Sequence, residues 1–275
     1  MKSIRRKRDY TYRFQTSGEA FYAHVRAWLH QGLAADHMNV WLQKIEFYGE
    51  EWQEFLEQAT AVWLTSRLVQ AGKSLHELHG DRYSTALRSY LKEYLVLTRS
   101  DAMDFERLLI GAVEASSQEI SKGLKRQIKS WAKDHHRHCY ICGVRLDFDL
   151  ENQDESFTRE HIWPRSLGGE STLENLLPAC LKCNCTRKLN FGSWASTSIQ
   201  STAVPMLPTE EDWKNVLPSH FYALHNYSAQ SEAIKHSITL KDAFLRIGPY
   251  DFPPRFADNC DIGHFFNLQN NQLHS

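Results

Sequence analysis

Apolar residues recur every three or four positions through the first half of the chain, the spacing that lays them along one face of an α-helix. Phe21, Val25, Trp28 and Leu29 form one such stripe. Met38, Trp41, Leu42 and Ile45 form a second, and Trp52, Phe55, Leu56 and Ala59 a third. Tyr83, Leu87, Tyr90 and Tyr94 repeat the spacing, as do Phe105, Leu109 and Ala112, with Asp101 as the expected cap and Asp104 three residues after it. Gly32, Ala71-Gly72 and Gly80-Asp81 are expected to separate the pieces. Residues 1–134 thus read as an α-helical arm of five or six helices, beginning near residue 17 and without an internal repeat.

The last helix of the arm has two stripes. Ile120, Leu124, Ile128 and Trp131 make the apolar one, and Lys122, Arg126, Lys129 and Lys133 a basic one on a different face. A basic stripe is either a solvated surface or a contact for a phosphate backbone. From Glu119 to Arg145 there are seven Lys or Arg against two acids, whereas Asp147 to Glu160 holds six acids against Arg159. The charge is locally sorted although the whole chain carries only −1. The earlier acidic group Glu46, Glu50, Glu51, Glu54 and Glu57 reads more simply as a solvated helix face.

Beyond residue 134 the pattern changes. Cys139-Tyr-Ile-Cys142 and Cys180-Leu-Lys-Cys183 are two C-x-x-C pairs separated by 37 residues. Such pairs can fill a tetrahedral zinc shell with four thiolates, which leaves no open position for chemistry. The gap exceeds the ~15–20 residues of an ordinary four-cysteine module and must hold an inserted element. Leu167-Gly168-Gly169 is a turn signal between two short strand-like stretches, and a helix is expected to begin near Cys180 to Asn184 and to end at Asn190 or Gly192. The result is a ββα unit. His135, His136 and His138 crowd the first pair but read as surface residues, because four cysteines already suffice. Of the two remaining cysteines, Cys185 and Cys260, the first is expected to be a buried helix thiol rather than a rival ligand.

The 275 residues are 42% hydrophobic and 12% aromatic, enough for two domains with real cores. No stretch approaches the ~18 apolar residues of a membrane span, and the basic N-terminus lacks the apolar core of a secretion signal. Cysteines confined to paired knuckles fit metal ligation in a reducing compartment better than a disulfide framework. These features point to a cytoplasmic protein with no membrane partner. After Trp194 the residues from Ser196 to Pro208 are rich in Ser, Thr and Pro, and a final helix is expected over about residues 229–246, stopped by Gly248-Pro249. Residues 195–275 read as a C-terminal segment packing on the central module or the arm.

Cys139-x-x-Cys142-Gly143, Glu160-His161-Ile-x-Pro164, Gly168-Gly169, Asn175-Leu176 and Cys180-x-x-Cys183-Asn184 together resemble the HNH endonucleases of the ββα-metal fold. The resemblance covers residues 136–192 within a module of 135–194, and the expected class of the whole is α+β, mostly α. It implies hydrolysis of a phosphodiester with His161 as general base, a role that a neutral imidazole fills well. It also implies that Glu160 and Asn184 bind Mg²⁺ or Mn²⁺, that Asn175 braces the loop and orients the histidine backbone, and that zinc is structural. Glu160 stands where many members carry Asp, and Asn184 where many carry His. Arg165, Arg187 and Lys188 are candidate phosphate contacts beside the basic stripe. DNA is the expected substrate. An RNA-cleaving effector of the same fold, or a zinc-stapled module that only binds, are the competing readings. A helical arm fused to such a module also looks like the nuclease subunits of anti-phage defence systems of the Zorya or Septu types, which implies other subunits as partners.

Overall fold

The computed structural model describes residues 12–31, 49–95, 97–190 and 218–249. The arm contains α1 (Ser17–Gln31), α2 (Gly49–His79), α3 (Tyr83–Tyr94), α4 (Arg99–Ser117) and α5 (Lys122–His135). The central module follows with β1 (Phe157–His161), β2 (Leu176–Cys180) and α6 (Leu181–Asn190), and then come α7 (Pro218–His236) and α8 (Leu240–Ile247). The fold is α+β and mostly α, as the pattern of the chain predicts. No described helix is long and apolar enough to cross a membrane.

The stripes on α1 and α4 and the first half of that on α3 turn inward as helical spacing requires, whereas Tyr94 at the end of α3 is exposed. Phe21, Val25, Leu87, Phe105, Leu109 and Ala112 are fully buried in one core. Met38, Trp41, Leu42 and Ile45, together with Gly32, lie outside the described residues, as do the side chains of 49–59.

Three local expectations are corrected. Ala71-Gly72 does not break a helix, because α2 runs straight through it. Gly72 is instead a contact point, where an added Cβ would come within 2.5 Å of Val113 Cγ2 on α4. The break comes at Gly80, whose φ of +47° a side chain would resist. The cap of α4 is Thr98, not Asp101. The Thr98 hydroxyl accepts from the Asp101 amide and the Asp101 carboxylate accepts in return, a capping box. The single helix expected over 229–246 is two, split where Ser237 adopts φ +54° and Thr239 caps α8.

β1 and β2 form an antiparallel ribbon in which Phe157 faces Cys180 and His161 faces Leu176. α6 follows β2 without a gap, which completes the ββα unit. The arm packs against the loop that joins the strands. The rings of Tyr22 and Trp163 meet at 5.2 Å, tilted by 55°, and the amide of Gly18 donates to the carbonyl of Gly168 at 3.0 Å. On the other side α8 packs on the first thiol knuckle, with Tyr140 edge-on to Phe244 at 5.2 Å.

Candidate active site and thiol cluster

The two C-x-x-C pairs converge. The Sγ atoms of Cys139, Cys142, Cys180 and Cys183 all lie within 4.8 Å of one another, and those of Cys142 and Cys180 are 3.8 Å apart. A tetrahedron of thiolates with Zn–S bonds of about 2.3 Å has edges of about 3.8 Å. The knuckle turn sets up the first pair, with the Cys139 amide donating to Val144 and the Gly143 amide to Cys139. Interaction among the crowded thiols, that with Cys139 foremost, draws the Cys142 thiol far down and pushes those of Cys180 and Cys183 up. Four thiols this close cannot all ionise without a cation among them, and zinc suits that donor set. Cys185 is exposed and lies outside the cluster, contrary to the expected buried thiol.

The residues of the second site gather at the end of β1 and the start of α6. Alternation along a strand puts Thr158 and Glu160 on one face. The Nδ2 of Asn184 donates to the Thr158 hydroxyl at 3.0 Å, which brings α6 onto that same face. Both Glu160 and Asn184 are 6% exposed. Asn184 Oδ1 is buried with no hydrogen-bond partner, an arrangement that costs about 1–3 kcal/mol unless something fills it. A buried carboxylate and an unfilled amide oxygen on one face are the hard-oxygen donor set of a small divalent cation. The residues present therefore fit Mg²⁺ or Mn²⁺.

His161 ends the strand, and its Nε2 lies 3.1 Å from the hydroxyl of Ser171. Asn175 is buried and acts entirely on backbone. Its Oδ1 accepts from the amide of Trp163 at 2.8 Å, and its Nδ2 donates to the carbonyls of Trp163 at 3.0 Å and Glu170 at 2.9 Å. It braces the loop just after His161. Gly169 lets that loop close, since a Cβ there would fall 1.9 Å from the Trp163 carbonyl oxygen.

This constellation has a match among known families. Residues 139–196 match the family model described as HNH endonuclease. Over those residues the segment is similar to the HNH endonucleases. No curated protein and no solved structure matches the chain. The HNH module accounts for both the thiol cluster and the strand–loop–strand–helix order around it.

The candidate phosphate contacts divide. Lys122 and Arg126 are exposed on the first turns of α5. Lys129 is engaged internally, its Nζ donating to the Phe148 carbonyl at 2.6 Å. Lys133 lies 3.8 Å from Asp149 and over the Phe148 ring. The acidic loop thus packs against the basic stripe. Arg165 is also committed within the protein, both Nε and Nη2 donating to the Ser116 carbonyl at the end of α4. The side chains of Arg187 and Lys188 lie outside the described residues.

Sequence reasoning missed Thr158, Glu170 and Ser171. Thr158 was within reach of the two-residue strand alternation. Glu170 and Ser171 sit in an irregular loop, and nothing in residue type or spacing marks them.

Proposed function

We propose that the protein is a metal-dependent endonuclease that hydrolyses DNA phosphodiester bonds, with His161 as general base and Glu160 and Asn184 as the protein ligands of one Mg²⁺ or Mn²⁺. The observation that carries the reading is the buried Asn184 Oδ1, which has no protein partner and sits on the strand face that carries Glu160. His161, the next residue along, would take a proton from the attacking water. Asn175 holds the backbone that follows it. When bound, the divalent ion would neutralise charge on the phosphate and the departing oxygen. The expected products carry 5′-phosphate and 3′-hydroxyl ends. Zinc in the four-thiolate cluster would staple the two ends of the HNH module and take no part in chemistry.

Exposed Lys122 and Arg126 are the described members of the basic stripe left to meet phosphates. A net charge of −1 is low for a nuclease that must hold DNA alone. It supports recruitment by other subunits in the cytoplasm, as in anti-phage defence, with the arm of residues 1–134 and the segment 195–275 as docking parts.

The test is conversion of supercoiled plasmid by the purified protein with Mg²⁺ or Mn²⁺, beside His161→Ala. Metal-dependent nicking that disappears in the variant is expected. Cleavage that survives the substitution overturns the assignment of the base.

A further inference from the structure

The hydroxyl of Ser171 bridges the candidate base to the helical arm. Its oxygen lies 3.1 Å from His161 Nε2 and 3.1 Å from the backbone carbonyl of Gln118. A hydroxyl has one proton, and a carbonyl can only accept. The Ser171 proton is therefore directed to Gln118, and the Ser171 oxygen is left to accept from the ring. This places the ring proton on Nε2 and makes Nδ1 the nitrogen with the lone pair.

The bridge rests on a rigid base. Gln118 is the C-cap of α4, its amide bonded to the Ala115 carbonyl at 3.1 Å. Two residues earlier the Ser116 carbonyl receives Arg165 from the same loop that carries Ser171. On the opposite side of that loop, Glu170 is held by the amide and hydroxyl of Ser17 at the start of α1. Ser171 is thus clamped between two helix ends of the arm.

We propose that Ser171 is a positioning residue: anchored by the Gln118 carbonyl, it holds His161 in the Nε2–H tautomer and so selects Nδ1 as the proton acceptor. The inference rests on the reading of His161 as general base. It deepens that reading by making the arm part of the active site, since any displacement of the end of α4 is felt at the ring.

The test compares wild type, Ser171→Ala and Ser171→Thr, with zinc content and thermal unfolding as checks that the fold is intact. Long-range ¹H–¹⁵N spectra of ¹⁵N-histidine-labelled protein report the tautomer of the neutral ring directly, with the His161 signal identified by its loss in His161→Ala. Wild type should show the Nε2–H form, Ser171→Ala a mixture, and Ser171→Thr, which keeps the hydroxyl, the wild-type form. In plasmid cleavage, Ser171→Ala should lower kcat by roughly tenfold or more with KM nearly unchanged, and Thr should restore it. A wild-type ring in the Nδ1–H form, or a tautomer ratio unmoved by Ser171→Ala, overturns the proposal. The spectra decide it even for a protein that cuts no plasmid, so failure of the nuclease reading and failure of the Ser171 proposal are separate results.

Discussion

Glu170 and Ser17 lie 153 positions apart and meet at the N-terminus of α1, where the carboxylate accepts from the Ser17 amide at 2.9 and 3.0 Å and from its hydroxyl at 2.5 Å. A carboxylate at a helix N-terminus satisfies free amides and opposes the positive end of the helix dipole. The contact joins the first helix of the arm to the loop between the two strands of the HNH module. Replacing Glu170 by Ala should cost roughly 1–2 kcal/mol in urea unfolding and lower cleavage, because the loop loses its anchor one residue before Ser171. An unchanged midpoint with full activity would show that the clamp does not matter.

Asn175→Ala should be more damaging than its position in a loop implies. It leaves the Trp163 amide and carbonyl and the Glu170 carbonyl without their partner, all in or near the core. A loss of roughly 2–4 kcal/mol is expected by chemical denaturation. Asn175→Asp should fall in the same direction, since a carboxylate keeps the acceptor and loses both donations.

Asn184→Leu tests the metal ligand, with folding followed alongside. The substitution removes a buried oxygen with no protein partner but also the Nδ2 donations to Thr158 and Arg159, so folding should weaken by roughly 1–2 kcal/mol while the module stays folded. Mn²⁺ affinity, followed by calorimetry, should drop at least tenfold, and cleavage should drop with it. Mn²⁺ binding at wild-type strength would remove Asn184 from the ligand set.

The four thiols predict a dependence of folding on zinc. Elemental analysis should find one zinc per chain, and Cys180→Ser should lose it and melt the HNH module, because ligand binding and folding are one process in such clusters. Full zinc content in that variant would show that the staple lies elsewhere.

Glu106 makes a prediction about acid. Its hydrogen bonds from Arg88, at 2.7 and 3.1 Å, hold the carboxyl below the usual range, with Ser84 adding a further donor. A depressed carboxylate contributes stability that is present above the unfolded value near ~4.3 and is lost as pH falls through the lower folded value. Arg88→Ala should therefore lower the Tm at pH 7, and the gap to wild type should close progressively below about pH 4. A gap that stays constant down to pH 2 would mean the pair contributes no such linkage.

The helices of the arm were legible because burial of a stripe depends only on residues three or four apart, as Phe105, Leu109 and Ala112 show. The placement of the caps was less so. Asp101 is a sound N-terminal residue, and only the backbone bend at Thr98 shows that it serves as the third helical position. Lys129 and Lys133 read as free cations from their spacing, yet the fold brings the Phe148 carbonyl and Asp149 to them.

By itself the sequence determined the chemistry available to this protein: four thiols in two pairs, Glu160 next to His161, and an asparagine just past the last thiol. Residue type and short spacing carry that information, since each group acts through its own side chain. The tertiary structure alone decided what holds those groups in place. The Gln118 carbonyl under Ser171, the Ser116 carbonyl under Arg165 and the Trp163 backbone around Asn175 are peptide groups that every residue carries. No residue letter distinguishes one carbonyl from another until the chain has folded and set it beside its donor.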